Sequence, residues 1–285
     1  MRLTFLGTAA SEGYPDAFCR CDFCARARAL GGPNLRKRSA VLVNDDLLID
    51  LGPDLIAAAQ IHGVSLAGLR YCLQTHEHDD HLEPHHLLSR SRYCAVEGVP
   101  RLHLYATAGA LTAAASRLPP RIAGAGLLDP EVGERLNLTA HVVAPFQSFT
   151  VGPYRVTSVR AAHDPENLTA LLYVIEHGGR ALFYGTDTGP LPEETWAALR
   201  AGGHRFTLVA MDHTFGLKGP AAGHLNADQF AAQIERLRAE GLLAPDARIF
   251  AHHLAHHANP DHATLVEIGR RRGYEIAYDG LIVDG

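Results

Sequence analysis

No apolar run in this chain approaches the roughly 20 residues that a helix needs to cross a bilayer. The nearest approach, the alanine-rich stretch 106–116, carries threonines and is closed by Arg117 and the pair Pro119-Pro120. The first residues, Met1-Arg2-Leu3-Thr4-Phe5-Leu6-Gly7, hold too short an apolar run for a secretory signal, so no membrane association and a cytoplasmic location are expected. Positive charge is in deficit: 26 Lys and Arg face 31 Asp and Glu, a net of −5. That balance disfavours a broadly basic nucleic-acid surface. Arg36-Lys37-Arg38 is the dense basic triplet, and it reads as a solvated lead-in to a strand. There is no repeat of fixed period and no Pro/Gly/Ser-rich linker that would separate two cores. The 285 residues therefore read as one domain, 1–285.

Cysteines are few and odd in number: Cys19, Cys21, Cys24, Cys72 and Cys94. Three crowd into C-x-C-x₂-C, a spacing that without a secretion signal favours a metal over disulfides. Cys72 and Cys94 read as small buried hydrophobes. Histidine, by contrast, is abundant, with eighteen in the chain. Four of the positions in His76-Glu77-His78-Asp79-Asp80-His81 form a ligand set that a protein core can rarely satisfy. The preceding stretch 69–75 reads as a strand, so His76 and His78 point the same way at its end. Asp80 and His81 follow past the bend and approach from another side. Nitrogen and oxygen donors converging on one loop suit a divalent ion such as Zn²⁺ or Mn²⁺.

Strand-like runs recur at 2–6, 39–43, 46–50, 69–75, 101–105, 137–143, 154–160, 170–176, 180–184, 206–211, 247–251, 274–278 and 281–283, with Asn44-Asp45 as a two-residue hairpin turn. Helical patterns lie at 53–62, 82–92, 107–117, 192–201, 226–240 and 261–272, the fifth opening at the N-cap residue Asn226 and ending before Gly241. Two similar strand-rich halves, each followed by helices, would pack as two face-to-face sheets with helices outside. Three polar islands follow later strands: His163-Asp164, Thr186-Asp187-Thr188-Gly189, and His252-His253-Leu254-Ala255-His256-His257. Counting donors gives two ions rather than one. His76, His78 and His163 make one cluster; Asp80, His81 and one C-terminal histidine make another; the two oxygens of Asp187 can bridge them.

Taken together, these residues resemble the metallo-β-lactamase superfamily, whose hallmark is H-x-H-x-D-H followed by a later His, an Asp and a final His. The resemblance implies an α/β fold, a four-layer αβ/βα sandwich, with a dinuclear site at the rim of its sheets. It implies His253 as the final ligand, although His252 is its neighbour, and Asp50 as the carboxylate that orients a ligand imidazole. Cys19, Cys21 and Cys24 resemble the knuckle, inserted near residues 19–24, of the phosphoribosyl 1,2-cyclic phosphate phosphodiesterases. There a histidine three residues past the last catalytic ligand, here His256, completes a structural zinc site. Cys₃His is independently a sound closed zinc set.

Asp212-His213-Thr214-Phe215 with Gly223-His224-Leu225-Asn226 resembles the segment that supplies a proton-donating histidine in phosphodiesterases and tRNA 3′-processing nucleases. His224 is the expected general acid and Asp212 its support, with His213 the weaker candidate. Asp80 counts as both ligand and catalytic residue. The expected function is a dinuclear-metal phosphodiesterase, carrying two Zn²⁺ or Mn²⁺ ions and one structural Zn²⁺, acting on a small, cyclic phosphodiester. Alternatives are a cofactor-biosynthesis or metal-binding protein similar to the pyrroloquinoline quinone B protein, which shares the knuckle, and a tRNA 3′-processing-type nuclease. Ser11, Ser39 and the Thr188-Gly189 backbone are candidate phosphate contacts, and the oligomeric state, a homodimer included, is open.

Overall fold

Alternation within single strands decides how the molecule is layered. Leu47 and Ile49 face a core lying between two sheets, whereas Leu48 between them faces helices on the outside. The computed structural model describes residues 1–220 and 222–285. Six strands open the chain: β1 (Arg2–Gly7), β2 (Ala40–Val43), β3 (Leu47–Ile49), β4 (Tyr71–Leu73), β5 (Leu102–Ala106) and β6 (Leu138–Val142). Seven more follow: β7 (Ser148–Val151), β8 (Tyr154–Arg160), β9 (Leu171–His177), β10 (Arg180–Gly185), β11 (Phe206–Asp212), β12 (Leu243–His252) and β13 (Glu275–Ile276). The last, β14 (Ile282–Asp284), crosses back to pair with β1, so the sheets run β14-β1-β2-β3-β4-β5-β6 and β13-β12-β11-β10-β9-β8-β7.

The helices are α1 (Asp22–Leu30), α2 (Leu55–His62), α3 (His85–Ser89), α4 (Ala108–Arg117), α5 (Pro120–Ala123), α6 (Pro130–Leu136), α7 (Glu193–Gly202), α8 (Ala227–Ala239) and α9 (His262–Arg272). The runs β3-β4-β5-β6 and β10-β11-β12-β13 pair in parallel, which requires crossovers, and α2, α4 to α6, and α7 to α9 occupy them. One outer core packs Leu42, Leu48 and Leu104 on Leu55, Ala58 and Leu111; the other packs Phe183, Val209 and Met211 on Trp196, Phe230 and Leu265. Between the sheets lie Phe5, Val41, Ile49 and Leu73 with Tyr173, Leu182, Tyr184 and Phe250. This is the expected four-layer αβ/βα sandwich.

Several local expectations differ from the structure. The β2–β3 hairpin pairs Val43 with Leu47, so its turn holds three residues with Asn44 left-handed at φ 51°, not two. Helix α1, the short α5 and α6, and strand β7 were not expected; their runs are too short or too polar to show a period. Arg36 is buried, bonding Thr8 Oγ1 at 2.8 Å, while Lys37 and Arg38 meet Asp279 and Asp54; the triplet is an internal clamp rather than a solvated lead-in. Cys72 is buried as expected, but Cys94 is exposed on a short 3₁₀ turn.

Candidate metal centre

The carboxyl ends of β3, β4, β8, β10, β11 and β12 lead into the segments carrying Asp50, His76 to His81, His163, Asp187, Asp212 and His253. Crossover topology aligns these strands, so one rim collects residues up to about 200 positions apart. The loop after β4 is shaped from within by Gln74, whose Nε2 donates to the carbonyls of His76 and His81, each at 2.9 Å, and to Asp50 Oδ1 at 3.0 Å. Gly52 lets the neighbouring backbone close in: a Cβ there would stand 2.7 Å from the Ser39 carbonyl oxygen and 3.2 Å from that of Asp80.

Two donor groups result. His76 Nε2 and His163 Nε2 each lie 3.1 Å from His78 Nδ1. His81 Nε2 lies 3.3 Å from His253 Nε2, and Asp80 Oδ2 lies 3.3 Å from the first and 3.4 Å from the second. Asp187 stands between the groups. Its Oδ2 is 3.4 Å from His81 Nε2, 3.8 Å from His163 Nε2 and 3.9 Å from His76 Nε2, while Oδ1 is 3.1 Å from His253 Nε2.

The far nitrogen of most rings carries a proton that is already committed. His81 Nδ1–H donates to Asp50 Oδ2 at 2.7 Å, His76 Nδ1–H to Thr75 Oγ1 at 3.0 Å, His163 Nδ1–H to the Gly223 carbonyl at 3.1 Å, and His253 Nδ1–H to Thr214 Oγ1 at 2.8 Å. Their Nε2 atoms therefore present lone pairs to one another and to two carboxylates. Asp187 Oδ1 is buried and receives no hydrogen bond. Converging lone pairs with an orphaned buried carboxylate oxygen are the donor chemistry of a divalent-ion site, so these residues fit the ions that the sequence implies. Asp50 accepts additionally from the amide and hydroxyl of Thr75 at 2.8 and 2.9 Å, a donor set that anchors it as the orienting carboxylate.

The neighbouring histidines separate clearly. His252 ends β12, is buried, and lies 3.0 Å through Nε2 from the Gly7 carbonyl; burial and nearby His253 push it down to about 3. His253 is the next residue, turned into the site by a left-handed φ of 58°. A backbone reversal, not strand alternation, thus selects His253. His213 is buried between Asn259 Oδ1 and the Tyr274 hydroxyl, each 3.1 Å away, and burial pushes it down to about 4. It is a structural histidine.

His224 Nδ1–H donates to Asp212 Oδ2 at 2.7 Å, which leaves Nε2 for the pocket. Asp212 is fully buried and also accepts from the amides of Thr214 at 2.9 Å, Leu225 at 3.0 Å and Thr188 at 3.3 Å. Burial opposes protonation of His224, but Asp212 outweighs it, joined by Asp187 and Asp80, and holds the ring up at about 9. Its ring stacks on His253 and stands edge-on to His163, beside both donor groups.

The cysteines gather as the sequence implies. His256 Nδ1 lies 3.2 Å from Cys24 Sγ and 3.7 Å from Cys21 Sγ, and Cys19 Sγ accepts from the Cys21 amide at 3.4 Å. Cys21 caps α1; burial opposes ionisation, yet the Cys24 amide and His256 bring its thiol down to about 6. Three thiols and one imidazole nitrogen within reach of a common centre fit a closed zinc set.

Of the candidate phosphate contacts, Ser11 lines the pocket. Ser39 is buried against the Tyr184 hydroxyl at 3.1 Å, and the Thr188 and Gly189 amides are taken by Asp212 and the Ala162 carbonyl. Those are corrections: both sites are spent on the fold. Thr75, Thr214 and Gly223, which aim the ligand rings, were missed. Thr75 adjoins the ligand His76 and Thr214 lies two residues past Asp212, which is the one signal they offered. The pocket holds about 320 Å³ and is lined by His78, Asp80, His163, Asp187, His224 and His253 with residues of the cysteine side. A wider cleft of about 780 Å³ near Arg90 and Arg135 has no histidine, aspartate or cysteine in its lining, so chemistry rather than volume locates the site.

A family model described as a beta-lactamase superfamily domain matches residues 46–253, which span the histidine and aspartate donor groups but not the cysteine knuckle. The chain belongs to the beta-lactamase superfamily. As a member with this site it is a metal-dependent hydrolase of the metallo-β-lactamase fold. Solved structures extend the likeness over the whole chain. A diphosphatase from the PhnP family is 20% identical with a TM-score of 0.72, covering 99% of this chain and 97% of its own. Zn²⁺-bound PqqB from Methylobacterium extorquens is 21% identical with a TM-score of 0.72 and covers 100% of both chains. Human tRNase Z, short form, is 15% identical with a TM-score of 0.64, covering 100% of this chain and 99% of its own. At such identities they establish the superfamily fold and leave the substrate to the site itself. No curated protein matches the chain by sequence.

Proposed function

We propose that this protein is a dinuclear-metal phosphodiesterase that hydrolyses a small, cyclic phosphodiester such as a phosphoribosyl cyclic phosphate. The observation that carries the reading is the Asp212–His224 pair, 2.7 Å apart, set beside the two donor groups bridged by Asp187. His76, His78 and His163 would hold one ion, Asp80, His81 and His253 the other, and Asp187 both; Cys19, Cys21, Cys24 and His256 would hold a structural zinc. The paired divalent ions, Zn²⁺ or Mn²⁺, would supply Lewis-acid neutralisation at the phosphoryl oxygens.

The chain's own residues do the rest. His224 donates its Nε2 proton to the departing alkoxide, while Asp212 fixes the tautomer and ring plane through Nδ1. Asp50, Thr75, Thr214 and Gly223 keep the ligand rings aimed, so little reorganisation accompanies the reaction. The knuckle and the similarity in fold to the PhnP-family diphosphatase support this branch. A tRNA-processing role would need a basic RNA path, which a net charge of −5 does not favour.

The test is hydrolysis of bis(p-nitrophenyl) phosphate and of ethylene phosphate by protein loaded with Mn²⁺ or Zn²⁺. Asp187→Ala should abolish metal-dependent turnover of both. His224→Ala should slow ethylene phosphate by about 10²–10⁴-fold, the usual worth of a positioned acid. The nitrophenyl diester should suffer far less, because its leaving group needs no proton. Full activity in both variants would falsify the mechanism.

A further inference from the structure

Two residues on the pocket wall take no part in the mechanism above. Glu12 and His257 line the same cavity as the metal ligands, on the side where they cluster with His256. His257 Nδ1–H donates to Glu12 Oε1 at 3.3 Å, since a carboxylate can only accept. That bond engages Nδ1 and leaves Nε2 as the ring's remaining polar atom, free for the cavity. Ser11 Oγ donates to Glu12 Oε2 at 3.1 Å, and His256 Nε2 lies 3.6 Å from Glu12 Oε1. With His256 Nδ1 turned to the cysteine thiols, its Nε2 is the protonated nitrogen facing Glu12. Glu12 is thus held from the knuckle side and presents its spare lone pairs to the cavity. Phe215 stands edge-on to both His257 and His224, an apolar face between the acid and this wall.

We infer that Glu12 and His257 are specificity-determining residues that accept hydrogen bonds from hydroxyl groups of the substrate's alcohol portion. The inference rests on the phosphodiesterase reading and assigns, within it, the wall of the pocket that meets the substrate's alcohol portion. The chemistry is directional. A carboxylate repels phosphate, so the phosphoryl group is driven to the metal side and the hydroxylated ring to the Glu12 side. Glu12 and His257 are part-exposed, with side-chain exposures of 22% and 39%, so an analogue that lacks the matching donors forfeits their hydrogen bonds and leaves them to water. Phe215 offers the packing surface for the ring's apolar face.

Two measurements on metal-loaded protein test this. The first is the ratio of kcat/KM for ribose 1,2-cyclic phosphate over hydroxyl-free ethylene phosphate. It should fall about tenfold or more in both Glu12→Gln and His257→Ala, with His257→Gln as a second variant should the alanine protein fold poorly. The second needs no turnover: calorimetric titration with ribose 1-phosphate and with inorganic phosphate. Wild type should prefer the sugar phosphate, and Glu12→Gln should lose about tenfold of that preference while keeping its zinc content. If neither diester is hydrolysed, the phosphodiesterase reading falls, and the titration still decides the role of the pair. Equal losses for both ligands, or loss of zinc from the variants, would assign the pair to the knuckle and overturn the inference.

Discussion

The proton on His224 is governed by one carboxylate. Asp212 accepts the Nδ1 proton at 2.7 Å, leaving the Nε2 proton to be donated, and with Asp187 and Asp80 it holds the metal-free ring up at about 9 against the opposing effect of burial. A general acid works only while protonated, so activity should persist through neutral pH and fall as pH rises past the raised value that Asp212 sets for His224. Asp212→Asn removes the charge and leaves a side chain of the same shape. The upper limb of the pH–rate profile should then move down toward the ordinary histidine value of about 6.5. An unmoved limb would mean that another group donates the proton. At this scale the sequence was informative where a residue type has few other uses: the histidines and aspartates of 76–81 read as ligands at sight. It was silent where the role is set by a backbone angle. The resemblance gives His253 as the final ligand, but nothing local in His252-His253 shows how that ring reaches the site; the left-handed φ of His253 does.

Helix α8 begins three residues beyond His224, and its first turn fixes the loop that carries that ring. Asn226 caps it, accepting from the Gln229 amide at 2.9 Å, while the Gln229 side chain returns a bond to the Asn226 amide at 3.1 Å. Asn226 Nδ2 also donates to the Lys218 carbonyl at 2.9 Å, closing the loop on itself. Asn226→Ala should cost about 1 kcal/mol of stability, the usual worth of an N-cap. It should also lower kcat by loosening His224 with metal affinity unchanged. Chemical denaturation reads the first effect and steady-state kinetics on metal-saturated protein the second, and an unaltered midpoint would show that the cap carries no stability. This helix was legible because cap, amphipathic period and following glycine agreed. Helix α1 was not, because its nine residues are charged and short and are held in place by the knuckle rather than by their own pattern.

Across the whole molecule the knuckle joins the two ends of the chain, α1 near the start and His256 near the close, and Arg26 adds a 2.7 Å bond to Asp261. Metal bound there and at the rim stabilises only the folded state. Elemental analysis of metal-loaded protein should therefore find three ions per chain, with one fewer in Cys24→Ser. Chelation should lower Tm, and Cys24→Ser should retain the pair at the rim. A Cys24→Ser protein with unchanged metal content would remove the structural zinc from the account. Among the described residues no helix is long and apolar enough to cross a membrane.

By itself the sequence determined the ligand chemistry, the four-layer sandwich through its resemblance and strand count, and the general-acid candidate, because these depend on residue types whose spacing is read locally. Only the tertiary structure decided how His253 is turned toward the donor groups, that Ser39 and the Thr188-Gly189 amides are spent on the fold, and that Glu12 meets His257. Those outcomes depend on which surfaces the crossovers bring together, and residues 245 positions apart leave no local signal of their contact.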